Sequence, residues 1–307
     1  MPHTLALVGI GEIARNQHVP ALQGTGAFTL AATASRNAGV EGIDGYRNLA
    51  SLLDARADVT CVSLCTPPQF RYEDARLALE QGRHVMLEKP PGATLSEVEA
   101  LIDLARARGV TLYASWHSRA AAAVPAARDW LADRRVRNVS MTWKEDVRHW
   151  HPGQDWIWQA GGLGVFDPGI NGFSILTAIL PHPLRLTAAE LRFPENRDTP
   201  VAADLAFAGP DGLRAQAALD WLETGEPKWD IVVATESGTL TLSKGGAEMA
   251  VDGVPVPVGE NREYPNLYAR FAELIDRGER DADLAPLRLV ADAFMLGRRV
   301  AAPAFRW

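Results

Sequence analysis

Thr4-Leu-Ala-Leu-Val8-Gly-Ile-Gly-Glu-Ile-Ala14 is the stretch whose reading decides the fold. It opens with an apolar run of strand length, turns through the pattern G-x-G-x-x-A, and continues into a helical stretch near residues 13–22. Glycines at those two places let the chain turn tightly and let backbone amides, at the positive end of a helix, approach a pyrophosphate. A glycine turn alone is a weak motif. Directly after a strand and before a helix, at the start of a βαβ unit, it reads as a dinucleotide fingerprint, with Gly9, Gly11, Glu12 and Ile13 as its contacts.

Outward from this turn, β-rich runs alternate with helical stretches as far as Ser115, the signature of a parallel sheet covered by helices. Strands are expected over residues 4–8, 29–34, 59–64, 84–87 and 111–114, and helices over 13–22, 49–54, 71–80 and 95–108. The last helix has Thr94 as N-cap, Glu97 three residues on, and Gly109 beyond its end. After Ser118 the texture changes. A helix near 121–131 and a strand near 136–143 lead into a Trp- and Gly-rich loop and a helix starting at Asp167. Strand-like alternation then dominates at 187–193, 202–208, 215–221, 230–235, 239–242 and 249–251, before helices over 267–276 and 287–300. The expected fold class is therefore α/β: a Rossmann dinucleotide-binding domain over residues 1–117, and an α+β domain with an open, mostly antiparallel sheet over 118–307. An open sheet has one uncovered face, through which the chain is expected to form a homodimer.

Length and composition agree with two folded domains. The chain has 307 residues, 47% hydrophobic and 22% charged, with a net charge of -7 spread along its length. Mixed charge of this sign argues against nucleic acid or an anionic membrane as partner, and no apolar run approaches the ~18–20 residues of a membrane span. Cys61 and Cys65 sit on one strand, ~13 Å apart by strand rise and beyond disulfide reach. Unpaired cysteines, and an opening stretch without a basic leader, place the protein by expectation in the cytoplasm.

Further contacts at the cofactor end come from the carboxyl ends of later strands, where ligands lie in open α/β sheets. The second strand ends in Thr33-Ala-Ser-Arg36, without the acid that usually holds a ribose 2′-hydroxyl. Ser35 and Arg36 instead offer a hydroxyl and a planar cation suited to a 2′-phosphate, which points to NADP; Arg36 stacked on adenine would leave NAD usable as well. The third strand delivers Cys65, Thr66 and Pro67, and the fourth delivers Glu88-Lys-Pro-Pro91. A lysine held by prolines at this edge is costly to bury unless it is used, so Lys89 is the candidate catalytic group. His117 ends the fifth strand as either a nicotinamide or substrate contact or an ordinary strand-end histidine. His18, on the first helix, reads as structural.

Gly9-Ile-Gly-Glu-Ile-Ala14, Glu88-Lys-Pro90 and Gly161-Gly-Leu-Gly-Val-Phe-Asp-Pro-Gly-Ile-Asn171 together resemble the glucose-fructose oxidoreductase/inositol dehydrogenase (Gfo/Idh/MocA) family. Within it, Trp143-Lys-Glu-Asp-Val-Arg-His-Trp-His151 with Asp155-Trp-Ile-Trp158 is most similar to the bacterial L-arabinose/D-galactose 1-dehydrogenase branch. The resemblance implies a Rossmann domain packed on an open mixed sheet, dimerisation through that sheet, and a cis peptide at Pro90. It also implies oxidation of an aldose at its anomeric carbon, giving a lactone, with L-arabinose, D-galactose or D-fucose as substrate. One position departs from the family pattern. Where many members carry a histidine able to exchange protons, this chain has Asn171, whose amide cannot titrate.

Asp167 has two readings: an N-cap followed by proline at the first helical position, or, with the resemblance, an acid that pairs with Lys89 and a sugar hydroxyl. Asn171, one helical turn later, lies on the same face. Proton transfer then falls to Lys89 or Asp167 acting as a coupled pair. The Trp-rich segment suits a hydroxyl-rich ligand, since indoles cover the C–H face of a sugar while carboxylate and imidazole bind its hydroxyls. Glu145, Trp150 and His151 are the expected contacts, with Trp229 beside them and Lys89 and His117 shared with the cofactor. His149 and His151 are accompanied by no ligand cluster of metal spacing, and no metal is expected. Two other readings keep the nucleotide domain: an inositol or polyol dehydrogenase, and a nucleotide-sensing regulatory protein without chemistry.

Overall fold

Strand β1 (His3–Val8) stands in the middle of a six-stranded sheet with β2 (Phe28–Ala34), β3 (Asp44–Tyr46), β4 (Cys61–Leu64), β5 (His84–Glu88) and β6 (Leu112–Ser115), in the order β3-β2-β1-β4-β5-β6. Every pairing is parallel. The structure, a computed structural model, describes residues 2–307. Strands β4 and β6 are buried along their whole length, which is why they read as continuous apolar runs rather than alternating ones. The sheet order reverses between β1 and β4. The turns at the carboxyl ends of β1, β4 and β5 therefore open onto one crevice edge.

Helix ends follow their local chemistry. Thr94 accepts a hydrogen bond from the Glu97 amide at 3.2 Å, and Gly109 closes helix Leu95–Arg108 with φ 67°. After the fingerprint turn the chain makes one wide helical turn over Ala14–His18, with the Val19 amide reaching back to the Ala14 carbonyl, before Val19–Gln23. Pro20 has no N–H to give and its ring crowds the carbonyl four residues earlier, which accounts for the widening. Strand β3 escapes a reading by periodicity because three mostly exposed residues show no alternation.

The chain divides into two units, Met1–His117 with Glu263–Leu284, and Ser118–Arg262 with Ala285–Trp307. A division by sequence at residue 117 alone misses the return of 263–284 to the nucleotide unit. Helix Glu263–Arg277 buries Tyr264, Leu267, Tyr268, Phe271 and Leu274, and Phe271 stacks on Phe28 with ring centres 5.5 Å apart. These aromatic contacts span more than two hundred positions of sequence, so no local pattern announces them.

The second unit is built on a nine-stranded sheet of β7 (Val136–Lys144), β8 (Arg185–Pro194), β9 (Ala202–Ala208), β10 (Arg214–Asp220), β11 (Lys228–Thr235), β12 (Gly238–Ser243), β13 (Glu248–Val251), β14 (Val254–Val256) and β15 (Arg298–Ala302). Its order is β14-β13-β12-β11-β7-β10-β9-β8-β15. Only β7 with β10 and β8 with β15 pair in parallel; the other neighbours are antiparallel. Alternation is clear on β10, where Ala215, Ala217 and Leu219 are buried and Arg214 and Gln216 are exposed. Helices Val124–Leu131, Phe166–Ile179 and Ala285–Leu296 belong to the covered side. The other face is a shallow groove of small and polar side chains, among them Ser140, Thr142, Ala206, Gln216 and Ala218.

The expectation of one helix over 287–300 is corrected. Helix Ala285–Leu296 stops at Gly297, and the next residues become β15, whose partner β8 lies a hundred residues earlier. Backbone hydrogen bonds offered by the edge of β8 outweigh weak helix propensity here, and that competition cannot be read locally.

Helix Phe166–Ile179 comes close to the sheet because Gly172 has no side chain. A Cβ there would lie 2.5 Å from the Met141 sulfur and 2.7 Å from the Trp143 ring. Substitution Gly172→Ala should therefore lower stability by about 1–3 kcal/mol in urea unfolding. The additional change Met141→Ala should recover part of that loss, whereas full parental stability in Gly172→Ala alone would contradict the close packing.

Candidate active site

At the crevice edge of the nucleotide unit, Gly9 has φ 84°, and a Cβ on it would lie 2.8 Å from the Thr66 amide nitrogen. Both constraints require glycine. A Cβ on Gly11 would meet no atom within 4 Å, so the space beside this amide is open for a ligand. Thr66 Oγ1 and Gln69 Oε1 are buried at the next turn without a hydrogen-bond partner. Open space over a helix-entry amide, together with orphaned polar atoms at the same edge, fits a nicotinamide dinucleotide laid along the ends of β1 and β4. Glu12 and Ile13 are exposed on the fingerprint turn. Ser35 is half-buried, its amide tied to the Tyr46 carbonyl at 2.9 Å, and Arg36 is exposed beside it.

Glu88, at the end of β5, is buried and held by three partners. Its Oε1 accepts from Tyr264 at 2.9 Å and lies 3.2 Å from His18 Nε2, while Oε2 accepts the Lys89 amide at 2.7 Å. His18 is fully buried, and its Nδ1 is 2.8 Å from the Tyr268 hydroxyl. Burial alone would raise the Glu88 carboxyl; the hydrogen bond and charge of His18, with His117 and Lys89 nearby, bring it down to about 2. Burial likewise opposes charge on His18, and Cys65, Tyr268 and Glu88 outweigh it and hold the imidazole well above its ordinary range. The two form a buried ion pair.

A second clamp holds the same turn through its backbone carbonyls. Buried Arg71 donates from Nε to the Thr66 carbonyl at 3.1 Å, and from Nη1 to the carbonyls of Glu88 and Pro90. Lys89–Pro90 is a cis peptide, as the resemblance implied, and Lys89 itself is half-buried. His117 Nδ1 lies 2.5 Å from Glu263 Oε2, and its ring stacks on Tyr264 at 5.5 Å. Cys61 and Cys65 are free thiols, and burial pushes Cys61 up to about 12. His18 is structural as read, but it supports the turn that carries Lys89. Arg71, Tyr264 and Tyr268 were missed by sequence reasoning. Arg71 gave no signal beyond a helix start, and the tyrosines arrive from a distant helix.

In the second unit, Asp167 is buried as the second residue of helix Phe166–Ile179. Val165 occupies the cap position and no side chain caps the helix, so the N-cap reading of Asp167 is set aside. Its Oδ2 lies 3.7 Å from His151 Nε2. Asn171 follows one turn later and is half-buried. Around them stand the tryptophans. Glu145 is buried with its two oxygens accepting from indoles, Oε1 from Trp221 at 3.3 Å and Oε2 from Trp229 at 2.8 Å. Trp150 is 43% exposed, 5.3 Å from Trp229 between ring centres, and Trp229 stacks on Trp143 at 6.2 Å. His151 rests against Trp221 at 5.3 Å. Sequence reasoning brought Glu145, Trp150, His151, Asp167, Asn171 and Trp229 forward; it missed Trp221, which joins Glu145 to His151. An aromatic platform beside an imidazole and a buried acid is the arrangement that grips a hydroxylated ring. No cluster of three or more metal-ligating side chains occurs among the described residues.

A family model described as "Oxidoreductase family, NAD-binding Rossmann fold" (GFO_IDH_MocA) matches residues 4–115. Galactose 1-dehydrogenase of Pseudomonas fluorescens is 44% identical over 304 residues, covering 99% of each chain. The crystal structure of D-galactose-1-dehydrogenase from Rhizobium etli matches with a TM-score of 0.96 at 56% identity, over 99% of this chain and 98% of that one. A 3-ketoreductase of Actinomadura kijaniata, in complex with NADP and TDP-benzene, matches in fold with a TM-score of 0.84 at 20% identity, over 99% of this chain and all of that one (100%).

The ion pair under Lys89 makes stability depend on pH in a defined window. Glu88, depressed from 4.5 to about 2, stabilises fully above pH 4.5 and loses its contribution as pH falls towards its folded value. His18, raised above 6.5, stabilises fully below pH 6.5 and loses its contribution as pH rises through its folded value. Urea unfolding of the parent and of Glu88→Gln should differ most, by about 3 kcal/mol, between these limits. A difference that stays constant from about pH 5 to about pH 9 would show that His18 carries no charge in the folded protein.

Proposed function

The chain belongs to the Gfo/Idh/MocA oxidoreductase family, and from that premise we propose that it oxidises the anomeric carbon of D-galactose, L-arabinose or D-fucose to a lactone, passing the hydride to NADP. Full-length likeness to two galactose 1-dehydrogenases makes it an NAD(P)-dependent aldose dehydrogenase. What carries the choice of a pyranose is the cluster of Asp167, 3.7 Å from His151, beside the platform of exposed Trp150 and half-buried Trp229. The three sugars share ring stereochemistry around C2 to C4, so one platform with one set of hydroxyl partners serves all of them.

In this reading the bound nicotinamide supplies the hydride acceptor. Gly9, Gly11, Glu12, Ile13, Cys65, Thr66, Pro67 and Glu88 line its site, and Ser35 and Arg36 hold the 2′-phosphate. Lys89 and Asp167 are the proposed proton-transfer groups for the C1 hydroxyl, and His117 is assigned to the nicotinamide or the sugar. Trp150 and Trp229 cover the C–H face of the sugar, and His151 and Asn171 bind its hydroxyls. Glu145 reaches the sugar edge while anchoring Trp229. Two unpaired cysteines support a reducing compartment, and we assign the protein to the cytoplasm. No helix of the described residues is long and apolar enough to cross a membrane.

A second copy of the chain is the proposed occupant of the open sheet face, where Ser140, Ala206, Gln216 and Ala218 allow flat close contact. Sedimentation should give a dimer that Ala206→Arg converts to a monomer; a parental monomer overturns this assignment.

Aldoses and polyols assayed with NADP and with NAD, following absorbance of the reduced nicotinamide, test the activity. Turnover of D-galactose or L-arabinose with NADP as the better acceptor is expected; turnover of inositols alone, or none, rejects the proposal. Lys89→Ala should lower kcat by about 10²–10⁴-fold while NADP affinity stays within about threefold. An unchanged kcat removes Lys89 from the chemistry.

A further inference from the structure

Residues Phe305–Trp307 lie across the segment that carries Trp150 and His151, and nothing in the catalytic reading uses them. Phe305 is buried, and both of its main-chain polar groups are taken by one side chain: Asn196 Nδ2 donates to its carbonyl at 2.9 Å and Asn196 Oδ1 accepts its amide at 2.8 Å. Arg148 holds the next residue, donating from Nε at 3.2 Å and from Nη2 at 2.9 Å to the Arg306 carbonyl while lying 4.8 Å over the Phe305 ring. The Trp307 indole N–H donates to Asp155 Oδ1 at 3.0 Å. Arg148 and Asp155 thus bracket Trp150 and His151 in sequence, and both are fastened by the same three residues.

From Phe305 an unbroken line of ring contacts leads to the candidate acid. Phe305 packs on Trp158 at 4.7 Å, Trp158 on Trp221 at 5.1 Å, and Trp221 on His151 at 5.3 Å, with His151 Nε2 3.7 Å from Asp167 Oδ2. Trp158 and Trp221 are fully buried, so a displacement at one end of this line has no slack to absorb it. We propose that Phe305–Trp307 is a positioning clasp for sugar recognition: it sets the register of residues 146–158 and, through Trp158 and Trp221, the place of His151 beside Asp167. Its residues touch no part of the sugar in this assignment. They act on KM for the aldose through the groups they hold.

The inference rests on the aldose reading, and two measurements separate the two. Hydrogen exchange of amides in residues 146–158 needs no substrate. Trp307→Ala removes an indole that is 43% exposed, so it leaves the core intact, and Phe305→Ala removes the buried ring. Both variants should exchange faster in that segment, while β10 and β11 keep parental protection. Kinetically, KM for D-galactose should rise about tenfold in Phe305→Ala and about threefold in Trp307→Ala. In both, kcat should fall less than KM rises, NADP affinity should be unchanged, and Phe305→Tyr should restore KM. Parental exchange in 146–158 in Trp307→Ala overturns the clasp, whether or not Phe305→Ala folds. So does an equal loss of sugar and cofactor affinity. A parent protein that turns over no aldose rejects the aldose dehydrogenase function and leaves the exchange measurement to decide the clasp.

Discussion

A carboxylate buried among aromatic rings is stable only when its charge is answered, and Glu88 is answered from three directions. His18 supplies an opposite charge, Tyr264 a hydroxyl, and the amide of Lys89 a backbone donor. The same few atoms thereby couple the first helix, the end of β5 and helix Glu263–Arg277. Arg71 adds a fork that spans the carbonyls of Thr66, Glu88 and Pro90. Lys89 lies in a turn whose preceding acid and following proline are both fixed, and is itself half-buried.

The second unit uses the same principle with different chemistry. Glu145 accepts from two indoles, so one buried charge orients Trp221 and Trp229 together, and each ring then orients a neighbour. Indole N–H groups that would be costly to bury alone become the hinges of the platform. Asp167 is buried with an imidazole 3.7 Å away, where the sequence offered it as a helix cap before proline or as an acid paired with Lys89.

Much of this was legible in the linear chain. The fingerprint turn, the strand–helix alternation, the Thr94 cap and the Gly109 stop all depend on interactions within a few residues, and the structure contains each of them. The strands of the open sheet were legible because one face is buried and the other is not, so alternation is written into composition. Candidate residues at strand ends were legible for a related reason: parallel sheets gather their carboxyl ends along one edge, and a list of strand ends becomes a list of neighbours.

What only the tertiary structure decided involves partners separated by long stretches of chain. Tyr264 and Tyr268 meet His18 across about 250 positions, β15 finds β8 across more than a hundred, and Phe305 finds Asn196 and Trp158 at similar distance. A tyrosine on an amphipathic helix or a phenylalanine near a chain end has the same local appearance whether it meets a buried charge or plain core. Sequence by itself determined the class of fold, the edge at which a nucleotide binds, and the residue types available for chemistry, because local hydrogen bonding and hydrophobic period specify those. Folding alone decided which acid is paired, which glycine must stay small and which rings are in register, because those follow from close packing between segments that no local pattern connects.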